Sequence, residues 1–190
     1  FLSDPGSFQP RNVGNGTVLG LELEFRKSLK FISSSLEKFQ WNTNLTITES
    51  QISMSATERR SRQLTAREGQ EIGTTRDMAG QAPYIINTGI AYSDFNTGWE
   101  AGIYYNVQGP TLNMVGFGNR TDTYAVPFNS LNLNINKTFG ADERIRASFG
   151  VQNLLNDKRE FIFSSYGAQD QFFTQLAPGV RANFSLGFSF

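Results

Sequence analysis

Between Val180 and Phe190 apolar and polar side chains change places at every residue. Ala182, Phe184, Leu186, Phe188 and Phe190 have one parity, and Arg181, Asn183, Ser185, Gly187 and Ser189 have the other. Successive side chains of a β-strand point to opposite faces, so a period of two specifies a strand with one apolar and one polar side. Six earlier stretches share the pattern, separated by clusters of Gly, Asn, Pro and Asp. Residues 17–27 set Leu19, Leu21, Leu23 and Phe25 against Gly20, Glu22, Glu24 and Arg26, and residues 38–48 set Phe39, Trp41, Leu45 and Ile47 against Gln40, Asn42, Asn44 and Thr46. Residues 83–92 carry Tyr84, Ile86, Ile90 and Tyr92 on the apolar parity, with Ile85 breaking the polar one. Residues 99–108 carry Trp99, Ala101, Ile103, Tyr105 and Val107, with Tyr104 on the polar side. Residues 130–139 and 144–152 continue with Leu131, Leu133, Ile135 and Phe139, then Ile145, Ala147, Phe149 and Val151. Nothing comparable repeats at helical spacing, so an all-β, antiparallel chain is expected.

Composition decides which neighbours such strands can have. No run of about 20 apolar residues exists to make a transmembrane helix, and the mean hydropathy is −0.35. Yet the chain is 13% aromatic with 17 Phe, and alternation reconciles the two by gathering apolar groups on one face. Lys and Arg, 17 in all, balance 17 Asp and Glu, which leaves no electrostatic footprint for nucleic acid. Without Cys or His there is no disulfide, zinc thiolate site or His-dependent nucleophile. No catalytic residue, metal site or cofactor is expected, and the chain reads as no enzyme. Glu22 and Glu24 read as neighbours on a strand, pairing with Arg26, Arg144 or Arg146 rather than forming a glycosidase couple. Gly116-Phe117-Gly118 lacks the helix of a phosphate-binding loop and reads as a turn.

Connections alternate between short (28–37, 93–98, 140–143) and long (50–81, 109–129, 153–179). Outer-membrane barrels have short periplasmic turns and long extracellular loops, so this rhythm predicts a transmembrane barrel wall with its carboxyl terminus in the periplasm. Aromatic residues collect at the short-turn ends on the apolar parity: Phe25, Phe39, Trp41, Tyr92, Trp99, Phe139, Phe188 and Phe190 form the expected periplasmic girdle. Lys137 is the charged exception, close enough to the interface to reach head groups along its stem. A soluble sandwich also alternates, but one-sided long loops, a girdle at one end and a Gly- and Asn-rich opposite face favour the barrel. Bacterial single-chain barrels have an even number of strands and open edges do not occur in hydrocarbon. About seven strands are therefore expected to be the carboxy-terminal part of a larger barrel, with further strands and an export signal upstream of Phe1. Glu58-Arg59-Arg60-Ser61-Arg62 with Arg67 reads as a solvated loop, with contact to lipopolysaccharide phosphates, an anionic ligand or a partner protein as the sharper alternative. Phe161, Phe163, Phe172 and Phe173 either stack on ligand rings or pack the last loop on the barrel rim.

Gly20-Leu21-Glu22-Leu23-Glu24-Phe25, Gly80-Gln81-Ala82-Pro83-Tyr84 and Tyr104-Tyr105-Asn106-Val107-Gln108-Gly109 resemble the final strands of TonB-dependent receptors from Bacteroidota. Gly150-Val151-Gln152-Asn153-Leu154-Leu155-Asn156-Asp157 and Ala177-Pro178-Gly179 before an aromatic-ended strand extend the likeness over nearly the whole chain, its end resembling receptors with an amino-terminal carboxypeptidase-regulatory-like domain. The resemblance implies a barrel of about twenty-two strands, an upstream plug, and energy-coupled nutrient import through a TonB-type inner-membrane complex. The ligand-binding residues and cargo stay unknown. A passive porin-like channel, or a docking barrel within an outer-membrane complex, is the alternative. Expected partners are outer-membrane lipid and lipopolysaccharide, the barrel-assembly machinery and a surface lipoprotein or complex partner. By resemblance Phe184, Phe188 and Phe190 form the signal read by that machinery. Deleting Phe190 should then lower outer-membrane abundance more than Ser189→Ala does, and unchanged surface levels in quantitative blots would deny the strand a signalling role.

Overall fold

The computed structural model describes residues 14–140 and 144–189. In chain order its elements are β1 (Gly16–Ser28), β2 (Phe39–Ser53), α1 (Ala56–Leu64), β3 (Thr75–Arg76), β4 (Tyr84–Asp94), β5 (Trp99–Gln108), β6 (Thr111–Met114), β7 (Asp122–Ala125), β8 (Phe128–Phe139), β9 (Ile145–Gln152), β10 (Arg159–Ser164), β11 (Gln171–Leu176) and β12 (Arg181–Phe188). Every strand pairing is antiparallel. The main sheet runs β1-β2-β4-β5-β8-β9-β12, with β3 added beside β2, and a smaller sheet runs β11-β10-β7-β6.

Register turns seven separate alternations into one surface. Leu23 lies opposite Leu45, Leu45 opposite Ile86 and Ile86 opposite Val107. Farther along, Ile90 faces Ile103, Ile103 faces Leu133, Leu133 faces Val151 and Val151 faces Ala182. Residues directly opposite share a face, so the apolar parities of all seven strands coincide. The other face collects Glu24, Asn44, Asn87, Asn106 and Ser130 in one row.

Among the described residues no second layer covers the apolar face. Among the described residues the buried apolar side chains are Ala82, Val107, Leu112 and Val151, whereas Leu19 is 73% exposed and Phe184 70%. Both edge strands, β1 and β12, are exposed along their whole length. A compact monomer of 21.2 kDa would show about 9,000 Å², and this chain shows 13832 Å². Among the described residues no second sheet packs on the apolar face, which is the feature a sandwich requires.

The smaller sheet is built from the long connections, which the sequence pattern predicts as loops. Its two hairpins are short and bulged, between Leu112 and Met114 and between Phe161 and Ile162 with their partners, so their alternation is broken before it can register. Helix α1 also lies in the longest connection, against the expectation of no helical element. It carries no apolar stripe. Ser55 Oγ accepts from the Glu58 N–H at 3.1 Å, an N-cap within the sequence Ser55-x-x-Glu58. β2 continues to Ser53, past the expected end at residue 48, because its far end pairs with β1 and with β3 outside the length a membrane requires.

The continuous apolar face makes a sharp prediction, since a lysine at the midplane of a membrane barrel costs about 2–4 kcal/mol. Leu133→Lys should block membrane assembly while Asn134→Lys, one residue away on the polar face, assembles normally. Equal assembly of both in outer-membrane fractions would refute the facing.

Candidate functional site

The apolar face is the first surface with a function to assign. Phe25 meets Trp41 edge-on at 4.9 Å between ring centroids, and Phe39 lies 5.0 Å from Tyr92, its partner in register. Trp99 starts β5 and Phe139 ends β8, each beside a short connection, and Phe188 ends β12 opposite Ile145; Phe190 lies outside the described residues. These rings do not share one hydrogen-bonded row. The belt passes from the row of Phe25 and Thr43 to those of Trp41, then Phe39 and Tyr92, then Trp99, then Phe139 and Phe188. That is four same-face steps of two residues over six strand intervals. At about 3.3 Å per residue and about 4.8 Å between strands, the belt climbs roughly 26 Å along the strands over roughly 29 Å across them, an inclination of about 42°. Strands of outer-membrane barrels tilt by about 35–45°, which would bring the belt level with a membrane plane.

Polar groups on this face are satisfied locally. Thr43 and Thr88 sit opposite each other in register, their hydroxyls 2.7 Å apart, and Trp41 Nε1 donates to Thr88 Oγ1 at 3.0 Å. The two gaps in the alternation of β2 and β4 are thus one cross-strand pair. Lys137 bonds the Thr97 carbonyl in the adjoining turn and lies 5.2 Å from the Trp99 ring centre and 5.5 Å from that of Phe139. Its charge is directed toward the short-turn end. At that end Lys38 Nζ binds Asp94 at 2.8 Å, joining two adjacent short connections, and the carboxylate raises the Lys38 pKa.

The polar face is a built surface. The Tyr104 side chain covers Gly89 and Gly102, where a Cβ would fall 2.4 Å and 2.5 Å from its ring atoms. Glycine is needed there for that approach. Beside it runs a ladder of amides: Asn132 donates to Asn106 at 3.4 Å and Asn106 to Asn87 at 2.7 Å, linking β8, β5 and β4. Of the anticipated ion pairs, Arg26 lies 3.6 Å from Glu24, whereas Arg146 binds Glu100 at 2.6 Å.

The ladder ends in the turn after β9. The Asn153 N–H donates to Asn132 Oδ1 at 3.1 Å, and its side-chain amide donates to the carbonyls of Asp157 and Gly179, each at 3.0 Å. Asn153 is buried with φ 54°, and Asn156 has φ 52°; Asn is among the few side chains that adopt this region readily. Asp157 accepts from Asn129 N–H at 2.7 Å and Asn129 Nδ2 at 2.9 Å. The backbone bond from Asn129 is the chief cause holding the Asp157 carboxyl below its usual range. Sequence reading quoted this segment for its resemblance and gave it no role. Its signal was two asparagines flanking a leucine pair where the alternation stops.

The arginine-rich segment divides in two. Arg62 holds both oxygens of Asp122 at 3.0 and 2.9 Å, Glu58 binds Arg76 at 2.6 Å, and Ser61 Oγ accepts the Gly118 N–H at 2.9 Å. The Arg62 and Ser61 contacts fasten α1 to the hairpin of β6 and β7, the Glu58 contact fastens it to β3, and Gly116-Phe117-Gly118 lies in the hairpin's turn. Arg59, Arg60 and Arg67 remain exposed. Leu112 and Tyr124 share one face of the smaller sheet with Asp122, while Phe161, Ala125 and Thr111 lie on the other. That second face and the polar wall enclose a cleft of about 490 Å³ between Phe161 and Asn87, Asn106 and Ser130. Ile85, the apolar break in the polar face, lines it with Phe128, whose ring lies 5.0 Å from the Arg159 guanidinium. Phe163 and Phe173 pair at 5.0 Å, and Phe172 is exposed. Among the described residues no group of acidic side chains is placed to hold a metal ion.

Compared with known proteins, the chain matches one family model, described as TonB dependent receptor-like, beta-barrel, over residues 1–154. No curated protein and no solved structure matches.

Placing alanine in the left-handed region costs about 1–2 kcal/mol, and each lost hydrogen bond about 0.5–1.5 kcal/mol. Asn153→Ala should therefore destabilise the full-length protein by about 2–4 kcal/mol and Asn153→Gly by about 1 kcal/mol less, read as unfolding midpoints by heat-dependent gel mobility. The contribution of Asp157 is present above the ordinary carboxylate range and is lost as pH falls through its lowered value. Asp157→Asn should accordingly flatten the acid limb of the unfolding midpoint measured against pH.

Proposed function

The chain belongs to the TonB dependent receptor-like β-barrel family, and from that premise we propose that it forms part of the wall and outer loops of a receptor importing a nutrient into the periplasm. The family acts in TonB-dependent transport at the outer membrane and not in catalysis. The observation that carries the proposal is the match over residues 1–154, which takes in β1 to β9. In this reading the apolar face meets lipid, the aromatic belt lies at the periplasmic interface, and the amide-lined face borders the lumen. The inclination of the belt supports that placement.

The long connections then face outward and the carboxyl terminus lies in the periplasm. Among the described residues β1 and β12 each pair on one side only, and unpaired backbone groups in hydrocarbon cost several kcal/mol each. Further strands, about twenty-two in all by the resemblance, would satisfy both edges. A plug, an upstream carboxypeptidase-regulatory-like domain and a Bacteroidota source belong to the same proposal. Phe184 and Phe188, on the exposed face of β12, would serve the assembly machinery together with Phe190. Arg59 and Arg60, turned from the Asp122 network, would meet lipopolysaccharide phosphates. A surface lipoprotein or complex partner would dock on the outer loops.

Energy coupling separates this receptor from a passive channel. Deleting the gene for the full-length protein and deleting the inner-membrane energiser should impair growth on the same sole nutrient source, with no further loss in the double deletion. A growth defect for the barrel gene on a source that energiser-deleted cells use normally would sink energy-coupled import.

A further inference from the structure

The chain has two tryptophans, and each stands directly opposite a lysine in the register of the main sheet: Trp41 opposite Lys27, and Trp99 opposite Lys137. Both pairs lie on the apolar face, in rows of the aromatic belt, near the short-connection ends of their strands. We propose that each pair binds the phosphate of an anionic phospholipid, the ammonium group taking the charge and the indole lying at the head of the acyl chain. The proposal rests on the lipid-facing reading of this face and adds to it a charge class and two sites.

The cations of this rim have no protein counter-charge. Lys137 gives one N–H to the Thr97 carbonyl and Lys27 Nζ lies 4.9 Å from the centre of the Phe31 ring, but among the described residues neither forms an ion pair. An ammonium has three donors, so the Thr97 bond leaves Lys137 able to bind an anion. A carboxylate does stand in the row of Trp99 and Lys137, that of Asp94. It already accepts from Lys38 Nζ at 2.8 Å, from the Tyr92 hydroxyl at 3.3 Å and from the Asn96 N–H at 3.2 Å. Glu37, in the connection that follows Lys27, is taken by Lys30 at 3.3 Å.

Ring contact alone accounts for the lysine stems and leaves those two positive charges unmatched. A lipid phosphate matches them through charge-assisted hydrogen bonds. A zwitterionic headgroup brings its own ammonium to compete for the phosphate, whereas a net anionic one does not, and an anionic leaflet attracts basic side chains at its surface. The row of Lys27 reaches β8 at Leu133, four residues and four strand intervals from Lys137. At about 3.3 Å per residue and about 4.8 Å per interval the lysines are roughly 23 Å apart, which makes two sites of one kind.

Trp41 and Trp99 are 38% and 45% exposed, so each can report its own site through quenching by brominated acyl chains. The full-length protein would be reconstituted in phosphatidylcholine bilayers carrying a rising fraction of dibrominated phosphatidylglycerol or, in parallel, of dibrominated phosphatidylcholine. Subtracting the emission of the Trp99→Phe variant isolates Trp99, and Trp41→Phe isolates Trp41. Half-maximal quenching is expected at about fivefold lower mole fraction of the anionic lipid, equivalent to about 1 kcal/mol. Lys137→Gln should abolish that preference at Trp99 and Lys137→Arg should keep it. Lys27→Gln should abolish it at Trp41 alone. Equal quenching by the two lipids would overturn the anionic sites and leave the lipid-facing wall standing, whereas no quenching by either would remove both. That comparison needs no lysine variant, so misfolding of one does not leave the question open. A preference that survives loss of its own lysine would overturn the assignment of that pair. Energy coupling does not enter any of these readings.

Discussion

Everything in this chain depends on the hydrogen-bond register of the main sheet. Each strand carries its own alternation, but only the pairing that sets Leu45 opposite Ile86 and Ile103 opposite Leu133 makes one apolar surface out of seven. A slip of one residue between two neighbours would turn every side chain of one strand to the wrong face. For β1 it would carry Glu22 and Glu24 onto the surface that Leu21 and Leu23 occupy. Burial of a core cannot enforce this register, because the chain has almost none. In the proposed barrel the penalty for polar groups in an apolar solvent would enforce it instead, tying the fold to the medium that covers it.

How much of this the sequence displayed follows from how long each signal runs. The long strands of the main sheet carry alternation over eight or more residues, a signal long enough to read, and the rings of Phe39, Trp99 and Phe139 share one parity. Four-residue strands broken by bulges, such as Thr111–Met114, give no period to read. Helix α1 was hidden differently: ion pairs through Glu58 and Arg62 hold it in place of an apolar stripe, so its only written sign was the Ser55-x-x-Glu58 cap. The gaps at Thr43 and Thr88 were visible one by one as defects. Their meaning lay in the pairing, which sequence order does not show.

Ile85 and Tyr104 make the same point on the polar face. Each looks like a fault in the alternation. Tyr104 covers two glycines whose Cβ atoms its ring would exclude, and Ile85 lines the cleft beneath the smaller sheet. Binary patterning therefore reports the solvent on each side only where the wall meets solvent or lipid. Where the wall meets its own loops, packing sets the residue.

The turn at Asn153 shows how the two parts are joined. A wall held by its medium and a loop sheet held by ion pairs and amides have different causes of stability, and nothing in the wall's alternation fixes the loops to it. Asn153 and Asp157 supply that link, since their bonds run at once to Asn132 and Asn129 at the wall's rim and to Gly179 before β12. One left-handed asparagine thereby fixes both ends of the last long connection. Because the same amides continue through Asn106 to Asn87, the lining of the wall and the posture of the loops form one hydrogen-bonded unit, and a displacement at the rim has a continuous polar route along the face.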